Sequence, residues 1–150
     1  SYDNMLKAWQ SGVIGSLNYM QAAFPYMKEQ HEGRIINFAS ATGMFGIAGQ
    51  LAYGSNKEAL RGLTKIAAKE WGQYGICVNV VLPGAESPAA KAWAEKFPEE
   101  YQKQVMLNPM HRFGDPEDDI APVVAFLAGP DSCYFSGQSV IVDGANSIMP

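Results

Sequence analysis

The 150-residue sequence has the length of one ordinary domain, and its 47% apolar and 17% charged residues suit a chain that buries a core. A formal charge of −4 and a pI near 5.1, with no run of like charges, argue against nucleic acid or an anionic membrane as a partner. Cys77 and Cys133 stand in no Cys-x-x-Cys or Cys/His spacing, so neither a disulfide framework nor a metal is expected, and no apolar run approaches the roughly 20 residues that span a bilayer. The chain reads as a reduced, cytoplasmic protein.

From Asp3 or Asn4, either able to cap a helix, Leu6, Trp9, Val13, Leu17, Met20, Ala23, Phe24 and Met27 recur at steps of three and four residues. The pattern predicts one long helix ending near Glu29. Gly12 and Gly15 inside it each cost about 1 kcal/mol against alanine, which reads first as simple helix packing and second as a close approach of another backbone. After the turn His31-Glu32-Gly33, the run RIINFA from Arg34 to Ala39 predicts a buried strand. In open α/β sheets ligands gather beyond the carboxyl ends of strands, which makes Ser40 a candidate site residue; the plainer reading is a serine capping the next turn. The following TGMFGIAG, Thr42 to Gly49, spaces its glycines G-x-x-G-x-x-G rather than G-x-G-x-x-G. It is therefore read as a loop whose glycines make turns carrying Met44, Phe45 and Ile47, and not as a phosphate cradle.

A second helix is predicted from Gln50 to about Trp71, with Leu60, Leu63, Thr64, Ala67, Ala68 and Trp71 inward and Arg61, Lys65, Lys69 and Glu70 outward. Gly72 or Gly75 ends it. ICVNVVLPG, Ile76 to Gly84, is a second buried strand, so that strand, helix and strand form a right-handed βαβ crossover. The proline-broken stretch from Ala85 to Asn108 has helical character at about Ala89 to Phe97 and Glu99 to Leu107, and lies where a lid is expected. Asp115 as cap, Pro116 in first position and Glu117, Asp118 and Asp119 in the first turn predict a helix ending at Gly129-Pro130. SVIVD, Ser139 to Asp143, is the last strand.

Tyr53 and Lys57 are four residues apart and project from one face of their helix, a phenol with a cation beside it. A phenol, ordinarily near pKa 10, must be acidified by about three units to act as a base at neutral pH, and an ammonium within about 4–6 Å shifts a pKa by one to three units. Each residue alone reads as an ordinary helix side chain. With Ser40 thirteen residues before the tyrosine they form a proton-transfer set.

Tyr53-x-x-x-Lys57, Ser40, Asn37 near the strand end, VNVVLPG, RFGDPEDDIAPVVAFLAG and SGQSVIVDGA resemble, in this order and over essentially the whole chain, a short-chain dehydrogenase/reductase of the compact type. The resemblance implies an α/β fold, the C-terminal half of a doubly wound parallel Rossmann sheet, from a protein of about 250 residues whose cofactor turn precedes this chain. It implies an NAD(P)-dependent oxidoreductase interconverting a secondary alcohol and a ketone. Tyr53 is then the general acid/base, Lys57 lowers its pKa and holds the cofactor ribose, and Ser40 binds the reacting oxygen. Pro83, Gly84, Glu86 and Ser87 join Tyr53 and Lys57 as cofactor residues, and Ala41, Gln50 and Trp93 are expected along the substrate. NAD and NADP stay equally open. Two departures stand out: Gly12 occupies the place of the family's relay asparagine, where its main-chain carbonyl alone can serve, and Pro88 stands where a carboxamide-binding threonine is usual. Glu86 is expected to be solvent-exposed. Homo-oligomerisation, as dimer or tetramer, is expected through helices 4–29 and 50–71. The competing readings are a non-catalytic binding or assembly subunit, and an elimination or dehalogenation on the same scaffold, which the retained Lys57 disfavours. Met44, Phe45, Leu51, Trp93, Phe97, Met106 and Met110 are read as able to line an apolar substrate pocket. His31 and His111 are read as surface or packing residues.

Overall fold

The computed structural model describes residues 1–148, apart from the side chain of Ala89. Three parallel strands, β1 (Gly33–Phe38), β2 (Ile76–Pro83) and β3 (Ser139–Val142), form one sheet in the order β1-β2-β3. The register pairs Gly33 with Ile76, Phe38 with Val81 and Pro83 with Val142, so all three carboxyl ends open on the same side. β2 lies in the middle and is buried from Ile76 through Leu82, as its unbroken apolar run requires of a strand covered on both faces.

The first helical run is continuous but not uniform. Helix α1 (Tyr2–Trp9) passes through a π-helical turn (Gln10–Ile14) into α2 (Gly15–Gln30). Its cap is Ser1, whose hydroxyl accepts from the Asn4 N–H at 3.3 Å. Asp3 and Asn4, the expected caps, instead lie within the first turn, because an acceptor side chain is available before them. Met20 from α2, Ile35 from β1, and Ile76 and Val78 from β2 make the first core, closed by Phe24 stacked on Trp71 at 4.6 Å between ring centres. At the end of α2, His31 takes a left-handed conformation (φ 53°) and remains on the surface.

The expected glycine loop after β1 contains a short helix, α3 (Ala41–Phe45). Gly46 and Gly49 do make turns, with φ 71° and 83°, but Gly43 does something else. A Cβ on Gly43 would stand 2.8 Å from the Glu58 nitrogen and 2.8 Å from the Gly54 carbonyl oxygen, so this glycine lets α3 press against α4 (Leu51–Trp71). On α4 the inward stripe holds Leu60, Thr64 and Ala67, and also Arg61, which was expected to face water. Arg61 is buried because partners meet it: Nε donates to the Ser139 hydroxyl at 3.1 Å and Nη1 to the Glu58 carboxylate at 2.8 Å.

Beyond β2 come α5 (Pro88–Lys96) and α6 (Pro98–Leu107), the paired helices of the expected lid. The lid is fastened at its root by a parallel bridge between Ala85 and Gly114 and at its middle by Tyr101, which packs between Trp93 and Phe113. The Tyr101 hydroxyl donates to Glu86, and Lys91 lies 3.8 Å from the same carboxylate. Glu86 is therefore paired rather than free in solvent, and hydrogen bonding to this carboxylate, with some burial, raises the pKa of Tyr101. Asp115 caps the last helical run by accepting from the N–H groups of Glu117 and Asp118. That run opens with a π-helical turn (Pro116–Ile120) and continues as α7 (Ala121–Ala128). No helix among the described residues is long and apolar enough to cross a membrane.

Candidate active site

Parallel strands bring their ends together, and two of the expected site segments, Ser40 after β1 and Pro83-Gly84 at the end of β2, meet there with a residue that was not expected, Asp143 after β3. They wall a cleft of about 430 Å³ whose apolar side is Phe45, Ile47 and Ile148. Ala41 lines it too.

Tyr53 and Lys57 face the same way from α4, with the Lys57 Nζ 5.7 Å from the centre of the Tyr53 ring. The ammonium donates to the Phe38 carbonyl at 2.7 Å, the last residue of β1 and two before Ser40. This bond ties the tyrosine-bearing helix to the strand end that carries the serine. Burial disfavours the charged form of Lys57 and lowers its pKa from the ordinary lysine value. Ser40 has extended backbone, and its Oγ accepts from the Thr42 N–H at 3.2 Å, capping α3. The capping role and the site role are compatible, since a hydroxyl that accepts one bond keeps its proton to donate. Tyr53 is 44% exposed.

Asp143 escaped the sequence reading, which treated it only as the end of a strand. It is 8% exposed, and its Oδ2 is a buried oxygen without a hydrogen-bond partner among the described residues. It borders both the cleft and a neighbouring cavity of about 340 Å³. A Cβ at Gly84 would lie 2.5 Å from the Asp143 Cβ, so glycine is what allows β2 and β3 to end so close together. Asn108, buried as well, holds this end of the chain by donating to the Asp143 carbonyl at 2.9 Å. An acidic residue terminating an apolar run, as in SVIVD, was the available signal.

Other expected site residues are engaged elsewhere. Ser87 caps α5 through the Ala90 N–H, and Glu86 is held by Tyr101. Trp93 packs on Tyr101, and Gln50 stands at the exposed entrance to α4. The apolar residues expected to share one pocket are dispersed: Phe45 faces the cleft, Met110 the second cavity, Met106 the outer side of α6, and Met44 packs on the core beneath. They are spread because they sit on separate elements facing different ways, which composition does not reveal.

A family model described as enoyl-(acyl carrier protein) reductase matches residues 1–145. A 12alpha-hydroxysteroid dehydrogenase from a Clostridium species is 43% identical over 140 residues, covering 93% of this chain and 54% of that protein. The 3-oxoacyl-[acyl-carrier-protein] reductase FabG of Thermotoga maritima is 39% identical over 132 residues, covering 87% of this chain and 52% of that protein. The crystal structure of acetoin dehydrogenase from Enterobacter cloacae superposes with a TM-score of 0.83 at 35% identity, covering 97% of this chain and 56% of that one. The chain thus spans about half the length of the curated relatives it matches.

Proposed function

The chain belongs to the short-chain dehydrogenase/reductase family, and we propose that it forms the catalytic part of an NAD(P)-dependent oxidoreductase that interconverts a secondary alcohol and a ketone. The observation that carries this reading is the Tyr53–Lys57 pair on one helix face, tied through Phe38 to the strand end bearing Ser40.

The residues present fit a nicotinamide nucleotide. Gly84 offers main chain without a side chain at the wall of the cleft, and the Asp143 oxygen, unpartnered among the described residues, is an acceptor suited to an amide or hydroxyl donor. Tyr53, Lys57 and the Pro83-Gly84 segment would hold the group, which when bound supplies or takes up the hydride. The work of this chain is on the proton. Ser40 donates a hydrogen bond to the substrate oxygen and fixes it opposite Tyr53. Tyr53 gives its proton to that oxygen as a ketone is reduced, or removes it as an alcohol is oxidised. A cation beside a phenol favours the ionised form, and Lys57, held by the Phe38 carbonyl, supplies that charge from a fixed position. Phe45 and Ile47 favour a substrate with an apolar body next to its carbonyl.

Exposed apolar side chains along the first helical run and α4, among them Leu6, Ile14, Leu51 and Ile66, support association of two or more copies through these helices. The function is tested by mixing the whole protein with NADH or NADPH and a panel of bulky ketones, 3-oxoacyl thioesters and keto-steroids. Substrate-dependent loss of nicotinamide absorbance is expected. Cofactor binding without turnover on any of these would instead favour a non-catalytic subunit.

A further inference from the structure

Asn56 stands immediately before Lys57 on α4 and is 4% exposed, yet the proton-transfer set leaves it unused. Its side chain reaches the π-helical turn Gln10–Ile14, where Oδ1 accepts from the Val13 N–H at 2.7 Å. A Cβ built on Gly12 would lie 2.1 Å from the Asn56 Nδ2, 2.3 Å from Oδ1 and 2.5 Å from Cγ. The carboxamide therefore fills the space in which any side chain at position 12 would begin.

A π-helical turn breaks the regular i to i−4 ladder and turns main-chain groups outward, and such turns persist where a neighbour satisfies them. Here the neighbour is a side chain of α4. One residue earlier, the Ser55 hydroxyl accepts from the Trp9 indole N–H at 3.4 Å, so consecutive residues of α4 are tied to the first helical run. Lys57 follows directly, with its Nζ on the Phe38 carbonyl. We infer that Asn56 is a positioning residue for the Tyr53–Lys57 pair: its carboxamide, seated where a side chain at Gly12 would be, locks the rotation of α4 so that Lys57 is aimed at the end of β1. The interlock rests on geometry alone, and its catalytic consequence rests on the proposed dehydrogenase function.

A four-member cycle in the whole protein, parent, Gly12→Ala, Asn56→Ala and the double variant, tests it by melting temperature and by kcat and KM for alcohol oxidation. Gly12→Ala forces the carboxamide out and should melt roughly 5–10 °C lower. In the double variant the alanine enters vacated space, so it should melt above Gly12→Ala rather than below it. Turnover should separate from stability. Asn56→Ala, alone or in the double variant, should lose roughly tenfold in kcat with KM little changed. Additive melting shifts would overturn the interlock, and an Asn56→Ala protein that keeps the parent's kcat, or loses in KM instead, would overturn the positioning role. A parent without turnover would instead refute the dehydrogenase reading, while the melting cycle would still decide the interlock.

Discussion

Replacing Gly84 with alanine probes the contact that shapes the floor of the cleft. The added Cβ would lie 2.5 Å from the Asp143 Cβ and 2.8 Å from its Cα. Carbon atoms rest at about 3.5–4.0 Å, so the ends of β2 and β3 would have to part by roughly 1 Å. Two main-chain bonds resist this: the Gly84 N–H donates to the Val142 carbonyl at 2.8 Å, and the Gly84 carbonyl accepts from the Gly114 N–H at 2.9 Å. Overpacking costs about 1–3 kcal/mol and weakening the two bonds adds about 1 kcal/mol, giving roughly 2–4 kcal/mol in all. At about 2–4 °C per kcal/mol for a chain of this size, Gly84→Ala should melt roughly 5–15 °C below the parent in a circular-dichroism scan. Gly72 is the control, since nothing lies within 4 Å of an added Cβ and its φ of −57° suits alanine. There the same substitution should stabilise by about 0.4–1 kcal/mol, through the unfolded chain. A Gly84→Ala protein that melts with the parent, or a Gly72→Ala protein that falls as far, would refute the reasoning.

The buried Thr64 hydroxyl accepts from Asn37 Nδ2 at 2.9 Å and donates to the Leu60 carbonyl at 2.9 Å. Thr64→Val strands the Asn37 donor and should cost about 1–3 kcal/mol in urea unfolding, whereas Thr64→Ser, losing one methyl, should cost about 1 kcal/mol. Asp119 is held well below the usual carboxylate pKa, first by its hydrogen bonds from Arg112 and then by the Asp115 N–H. A depressed carboxylate stabilises above its unfolded pKa and loses that contribution as pH falls, so the melting gap between parent and Asp119→Asn should be constant above about pH 5 and narrow below about pH 4. Tyr101→Phe removes the bond to Glu86 and should speed tryptic cleavage at Lys91, Lys96 and Lys103 while the global melting temperature changes little.

Strands and helix faces were legible where one local rule governed them. RIINFA and ICVNVVLPG are apolar runs of strand length, and Asp115-Pro116 is a complete helix start, so each appears within a residue or two of its expected bounds. The Tyr53–Lys57 spacing fixed a shared helix face, which the 5.7 Å approach bears out. What the residues did not disclose depends on partners distant in sequence. The π-helical turn leaves the three- and four-residue apolar period intact and is marked only by Asn56, 43 residues from the Val13 N–H that it accepts. Arg61 faces inward because Ser139 arrives from β3, and Glu86 is paired because Tyr101 folds back from α6. Gly43 passed for a turn residue because its packing neighbours lie on the next helix. Asp143 became part of the site only once Gly84 allowed two strand ends to meet.

The central claim is that Tyr53 moves the proton, and the most direct test is the nicotinamide-linked rate of Tyr53→Phe in the whole protein. Tyr53 is 44% exposed, so the variant should melt close to the parent. Its rate should fall by at least about 10²-fold, the usual share of a positioned acid/base. A Tyr53→Phe protein that keeps its rate within a few-fold of the parent would contradict the account.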